Sequence, residues 1–321
     1  MELAAPRSKV RPHAWSKSMN TQTNTAVEVT VEIVHGFVDG GAGGNPAGVV
    51  PDADELSEQD MQAVAARVGL SETAFVSRSE TEGFKLDFFT PNRRIAHCGH
   101  ATIAAFSRLD ALGRTPNPNT SKETVDGPRR ILMKEGAAYM EQLAPKYAIP
   151  EEWAEKGVSI DDVLNSLGIS RNQLDQEIPP VLVNTGNSFI VIGLADAEGL
   201  AKVKPDFAKI TQISEQLDLI GYYVFTTDPS ATNRDATTRM FAPRYAIEEE
   251  AATGMAAGPL ASVLHDFVGS SQRSFQIEQG VFMNPASPSL IKIDLEIDNG
   301  TISGLMAGGF GRVMCSRRIV F

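Results

Sequence analysis

The chain has 321 residues, of which 42% are hydrophobic and 21% charged, an ordinary composition for a globular protein with room for about two domains. Its formal net charge of −11 argues against a nucleic-acid-binding surface, because phosphate recognition needs clustered lysine and arginine. No stretch of the sequence approaches the roughly 18 apolar residues that a membrane-spanning helix requires.

The N-terminal segment differs from the rest of the chain. Residues 1–26 are polar, rich in Ser, Thr and Asn, and lack both hydrophobic periodicity and the apolar run of a secretory signal. They predict a disordered arm, and a transit peptide is an alternative that Glu2 disfavours. Two cysteines, Cys98 and Cys315, do not make a disulfide framework, so a reducing cytoplasm is the expected location.

The first half of the chain alternates predicted strands and helices. β-branched alternation predicts a strand at 29–34, followed by a glycine-rich loop at 40–46 and a strand at 47–50. Ser57 is placed to cap a helix that Gly69 ends. Two strands are predicted at 71–76 and 84–89, and the Pro, Asn and Thr content of 114–126 predicts a loop.

The stretch 85–112 combines a strand, a turn and an apolar helix that begins at Cys98-Gly99-His100. Unpaired N–H groups and the positive end of the helix dipole point out of such a start, which suits it to holding an anion.

A second glycine-bearing helix start is predicted at 254–256, because Pro259 cannot lie deep inside the helix that follows. Two such strand–loop–helix units predict two similar lobes whose helix N-termini face one cleft. The other predicted helices of this half lie at 160–167 and 207–217. Two strands are predicted within 181–194, one on each side of residues 185–187, and further strands at 222–227, 275–280, 289–297, 301–307 and 311–321, the last two separated by Gly308-Gly309.

Five motifs, in this order and spacing, resemble the PhzF-like isomerases, which have the diaminopimelate epimerase fold: Gly44-Asn45-Pro46-Ala47, Leu70-Ser71-Glu72-Thr73-Ala74-Phe75-Val76, Phe88-Phe89-Thr90-Pro91, Cys98-Gly99-His100-Ala101-Thr102, and Ala252-Thr253-Gly254 with Ala256-Ala257-Gly258-Pro259-Leu260. The resemblance implies an α/β (α+β) fold of two pseudo-symmetric lobes, each a curved mixed sheet around a central helix. We expect an N-terminal lobe at 27–140, completed by a strand near 309–321, and a C-terminal lobe at 141–308. The resemblance also implies a homodimer and an active site without a cofactor.

The resemblance further implies which residues act. Glu72 of the Ser-Glu-Thr-Ala-Phe motif would move a proton, with His100 and Glu250 as the other catalytic residues. The implied substrate-binding residues are Asn45, Ser71, Cys98, Gly99, Thr253, Gly254 and Met255. No metal is expected, because His13, His35, His97 and His265 have no metal-ligand spacing.

The chain departs from the family pattern around its second helix start. Glu250 stands where an aspartate is usual, which displaces the carboxylate by about 1 Å, and Met255 replaces a serine. Arg93 and Arg94 stand where a glutamate is common. These changes indicate a less polar substrate or weakened catalysis. Glu250 itself could contact substrate or belong to a solvated acidic run.

Three functions are compatible with these residues. The leading hypothesis is an isomerase that shifts a proton on a small carboxylate- or carbonyl-bearing metabolite, with Glu72 as base and acid in turn. An alternative is an epimerase or a catalyst of cyclisation or rearrangement. A racemase that uses a pair of thiols would need a second cysteine opposite Cys98, and this chain has Thr253 there. The other interpretation of Cys98 is a buried structural role. The third is a catalytically silent binding protein.

Overall fold

The computed structural model describes residues 28–321, so the predicted disordered arm lies outside the described residues. Among the described helices, none has the length and apolar character needed to cross a membrane. The helices are α1 (Glu58–Val68), α2 (Gly99–Ala111), α3 (Pro150–Ala154), α4 (Ile160–Ser166), α5 (Ala197–Ala201), α6 (Phe207–Leu217) and α7 (Gly254–Asp266). The strands are β1 (Glu28–Val38), β2 (Asn45–Val50), β3 (Thr73–Ser77), β4 (Phe84–Phe89), β5 (Arg94–Ile95), β6 (Asn119–Thr124), β7 (Gly127–Lys134), β8 (Ala137–Leu143), β9 (Lys146–Ala148), β10 (Val181–Asn184), β11 (Ser188–Gly193), β12 (Gly221–Thr226), β13 (Ala236–Ala242), β14 (Ile247–Glu250), β15 (Ser274–Gln279), β16 (Ser289–Asp298) and β17 (Thr301–Val320).

Strands of the first half form a curved mixed sheet around α2. The pairing runs β1–β2–β3–β4–β6–β7–β8, with parallel pairs at β2–β3 and β4–β6. The long strand β17 closes this sheet, because its residues 310–320 pair with β1 and its residues 304–309 pair with β8. Helix α2 is buried along nearly its whole length, as expected of a helix that a sheet surrounds.

The second half repeats this arrangement around α7. Its strands pair in the order β9–β10–β11–β12–β13–β15–β16–β17, with parallel pairs at β11–β12 and β13–β15. Apolar side chains of α2 and α7 belong to one continuous hydrophobic cluster. The predicted fold class is confirmed: an α/β structure of two lobes, each a curved mixed sheet around a central helix.

Several predicted boundaries are also confirmed. Ser57 caps α1 and accepts a hydrogen bond from the Asp60 N–H, and Gly69 ends that helix in the left-handed region with a φ of 70°. Helix α7 begins at Gly254, within the predicted start, and Pro259 lies in its second turn. These end signals are local, and so the sequence is sufficient to place them.

Two predictions were wrong. The predicted loop 114–126 contains β6, whose polar residues pair with β4 and β7. The predicted break at Gly308-Gly309 does not exist, since β17 is continuous there and only its partner strand changes. The two glycines serve close packing instead: a Cβ at Gly308 would collide with Tyr139, and one at Gly309 would come within 2.8 Å of Phe37.

The predicted lobe boundary at residue 140 falls inside β8, which pairs with β7 and β17. A domain boundary is expected in a connection between two elements and not within a strand. We therefore propose that the boundary lies between β8 and β9, with the C-terminal half of β17 assigned to the N-terminal lobe.

Candidate active site

The N-terminal ends of α2 and α7 meet at one cavity of about 310 Å³. A Cβ added at Gly99, the first residue of α2, would lie 3.5 Å from Met255 of α7, so the two helix starts are in near contact. All but two of the predicted site residues line this cavity, namely Glu72, Cys98, Gly99, His100, Glu250, Thr253, Gly254 and Met255.

His100 lies between two carboxylates that come from different lobes. Its Nε2 is 3.3 Å from Glu72 Oε2, and its Nδ1 is 3.4 Å from Glu250 Oε1. The Cys98 sulfur is 3.6 Å from the same Nδ1. His100 and Glu72 are 4% and 8% exposed, so these groups interact in a region that holds little water.

Competing effects set the charge of His100. Burial alone would lower its pKa, but the Cys98 sulfur, the hydrogen bond with Glu250 and the negative charge of Glu72 oppose this and hold the pKa of His100 well above its usual value. Burial raises the pKa of the Cys98 thiol, more than the neighbouring His100 lowers it. The carboxylates of Glu250 and Glu72 therefore act in the same direction as the Cys98 sulfur and favour a protonated imidazole.

Two buried atoms of this cluster have unused hydrogen-bonding capacity. Within the described residues, neither Glu72 Oε2 nor His100 Nε2 forms a hydrogen bond of acceptable geometry. Buried polar atoms nearly always have a partner, and exceptions are common where a ligand binds or reacts. The two atoms lie 3.3 Å apart in side chains that line the cavity, which places an acceptor and a donor of protons side by side next to it.

Glu250 is held in place from several sides. Asn45 Nδ2 donates to Glu250 Oε1 at 2.9 Å and to the Ala252 carbonyl at 3.0 Å, and the Thr253 hydroxyl donates to Glu250 Oε2. With its side chain 13% exposed, Glu250 points into the site and not into a solvated acidic run. Asn45 thus lies behind Glu250, and Ser71 is exposed outside the cavity. The substrate contacts expected of these two residues stay predictions.

Sequence reasoning missed Gln279, the last residue of β15. This fully buried amide accepts hydrogen bonds from the Thr253 N–H at 3.1 Å and from the Tyr223 hydroxyl at 3.0 Å. It donates to the Glu250 carbonyl at 2.7 Å. Gln279 therefore fixes the backbone that carries Glu250 and Thr253. No motif surrounds it in the sequence, and a polar residue at a predicted strand end gives no signal that could have identified it.

The donor atoms of Glu72, Cys98 and His100 lie within 4.8 Å of one another, a spacing that could hold a metal ion. A metal would need a thiolate and a neutral imidazole. The surroundings instead favour a neutral thiol and a protonated imidazole, because the pKa of Cys98 and the pKa of His100 are both raised. This donor set suits proton transfer better than metal binding.

Known proteins resemble this chain over most of its length. A model of the family described as phenazine biosynthesis-like protein matches residues 34–310. An uncharacterized isomerase of Clostridium acetobutylicum is 30% identical over 267 residues, 79% of this chain and 86% of that protein. The trans-2,3-dihydro-3-hydroxyanthranilate isomerase of Pseudomonas chlororaphis is 29% identical over 285 residues, 87% of this chain and 96% of that enzyme. The Bacillus anthracis PhzF-family phenazine biosynthesis protein has the same fold, with a TM-score of 0.82 over 92% of this chain and 100% of that chain at 22% identity.

Proposed function

Since this chain belongs to the phenazine biosynthesis-like protein family and is an isomerase of the PhzF type, we propose that it moves a proton between two carbon atoms of a small carboxylate- or carbonyl-bearing metabolite without a cofactor. The observation that carries this mechanism is His100, buried between Glu72 and Glu250, with neither Glu72 Oε2 nor His100 Nε2 in a hydrogen bond within the described residues. The homodimer that the family resemblance implies and the cytoplasmic location expected from the two cysteines belong to the same proposal.

In the proposed mechanism, Glu72 removes a proton from a carbon next to the carbonyl or carboxylate of the substrate and returns it to another carbon. Negative charge that develops on the substrate oxygen is stabilised by the N–H groups at the starts of α2 and α7, which have no carbonyl partner within their helices. Protonated His100 keeps Glu72 oriented and shares its proton. Apolar side chains of the cavity wall, Ile95, Ile220, Met240 and Met255, would contact the carbon skeleton.

Isotope incorporation tests this proposal. In D₂O, we expect the enzyme to convert trans-2,3-dihydro-3-hydroxyanthranilate, or a related small unsaturated carboxylate, into a product that carries deuterium at the carbon that receives the proton. Proton NMR would detect the missing signal and the migrated double bond. Dialysis against a chelator should leave the rate unchanged. Absence of both conversion and exchange across such a set of substrates would contradict the proposal.

Epimerisation by a pair of cysteine thiols is the second candidate, because Cys98 faces the cavity. Its raised pKa and the threonine at position 253 disfavour a thiol base. We expect Cys98→Ala to reduce kcat/KM by less than about tenfold, since removing a group that transfers the proton would cost about 10²–10⁴-fold. Cys98→Ser is the matched control, which keeps a polar atom near His100. A loss of about 10³-fold in both variants would favour the thiol base instead.

A further inference from the structure

Lys122, on β6, is fully buried and forms no ion pair with a carboxylate of the described residues. Its Nζ lies 2.7 Å from Thr102 Oγ1 and 3.0 Å from His97 Nδ1, and 4.9 Å from the centre of the Phe88 ring. A lysine is almost never fully buried unless its charge is paired, because desolvating an ammonium group is costly. The proposed mechanism makes no use of this amine.

His97 connects Lys122 to the ligand-accessible space. It lines the active-site cavity and also a second cavity of about 320 Å³. The two cavities share His97, Asp126, Asn187 and Met255, so His97 lies at the boundary between them. Because Nδ1 of His97 is occupied by Lys122, Nε2 is the ring nitrogen that remains for a ligand. When Lys122 donates to Nδ1, the ring proton is on Nε2, and Nε2 is a hydrogen-bond donor.

Burial of this pair and the charge of Arg129 favour an added anion, whereas Asp126, which lines both cavities, and Glu141, which lines the second, oppose it. Burial lowers the pKa of Lys122 well below its usual value, and Arg129 adds to this, against the opposing effects of Cys98 and Asp126. Burial, Lys122 and Arg129 likewise lower the pKa of His97. An anion beside His97 would oppose both effects, so the pair would take up a proton as the anion binds.

We infer that His97 and Lys122 form an anion-binding relay that holds a carboxylate of the substrate at the boundary between the two cavities. The inference rests on the proposed function only in taking this cleft as the substrate site. It places the carboxylate at His97 Nε2 and leaves Glu72 and His100 free for the carbon that exchanges its proton. The substrate class is then a carboxylic acid whose skeleton extends from the first cavity to the second.

Calorimetric titration with anthranilate and its neutral counterpart anthranilamide tests the relay. The wild-type protein should bind anthranilate at least about tenfold more tightly than anthranilamide, as charge-assisted hydrogen bonds require. Lys122→Met should remove that difference and leave anthranilamide binding unchanged. Titrations between pH 7 and 9 in buffers of different ionisation enthalpy should show proton uptake with anthranilate for the wild type and none for Lys122→Met.

Further variants distinguish loss of the His97–Lys122 connection from misfolding and from a failure of the catalytic proposal. His97→Gln keeps a donor on the cavity wall but breaks the connection to Lys122, so it should lose the proton uptake even if Lys122→Met fails to fold. Lys146→Met, an exposed lysine of β9, is the matched control and should behave as the wild type. Glu72→Gln should still bind anthranilate with proton uptake, so a failure of the catalytic proposal would be distinguishable. Equal binding of the two compounds by the wild type, no binding of either, or unchanged proton uptake in both Lys122→Met and His97→Gln would overturn the inference.

Discussion

Replacing Glu72 with Gln is expected to lower kcat by about 10³-fold, because the amide keeps the shape of the side chain but cannot accept and return a proton. Ligand binding should change by only a few fold, since the proposed role of Glu72 lies in the chemical step. The measurement is single-turnover conversion in D₂O, in which the deuterium incorporation seen with the wild type should be lost. Circular dichroism would confirm that the variant is folded.

Glu248→Gln is the matched control for this prediction. Glu248 lies on β14 two residues before Glu250, but it is exposed to solvent, so its replacement tests the loss of a carboxylate outside the cavity. We expect kcat and deuterium incorporation to be unchanged. If Glu72→Gln kept the wild-type rate, Glu72 could not be the base, and His100 or Glu250 would have to move the proton.

The element boundaries could be predicted because their signals are local, and the fold and the centre of the site because five motifs resemble the PhzF-like isomerases. The glycine start of α2, the aromatic-rich strand β4 and the caps of α1 are each determined within a few residues. The motifs around Glu72, His100 and Glu250 then placed those three residues in one cluster, and the structure brings them within hydrogen-bonding or ion-pair distance.

The rest could not be predicted because it depends on contacts between distant segments. Lys122 belongs to a polar stretch that resembles a loop, and only the surrounding sheet shows that its side chain points inward. The role of Asn45 depends on contact with Glu250, which is 205 residues away in the chain. Gln279 likewise acts through Thr253 and Glu250, and polar residues of this kind have no periodic pattern.

The glutamate at position 250, where the family resemblance leads us to expect an aspartate, fits this arrangement. The longer side chain reaches His100, Asn45 and Thr253 at once, which places a second carboxylate beside the imidazole. We therefore propose that Glu250, together with the Cys98 sulfur, helps to keep His100 protonated, and that Glu72 moves the substrate proton. This division assigns one carboxylate of each lobe a separate task.

Replacing Glu250 with Gln tests that division, because the amide can still accept from Asn45 while the charge is lost. Glu250 is one of the groups that raise the pKa of His100, so its neutralisation should bring that pKa back toward 6.5. If protonated His100 is required, the alkaline limb of the kcat/KM profile moves to lower pH, and activity at pH 8 falls by about 10²-fold. In Glu248→Gln the profile should not move.

Measurements of the free energy of unfolding at two pH values test independently whether Glu250 raises the pKa of His100. A histidine whose pKa is raised in the folded state stabilises the fold below its unfolded pKa, and this stabilisation is lost as pH rises through the folded pKa. In Glu250→Gln the contribution of His100 shrinks, so the variant should lose more stability at pH 6 than at pH 9 relative to the wild type. Urea unfolding at the two pH values measures this difference. If the alkaline limb stays in place and the loss is equal at both pH values, Glu250 does not control His100, and the Cys98 sulfur or Glu72 must hold its proton.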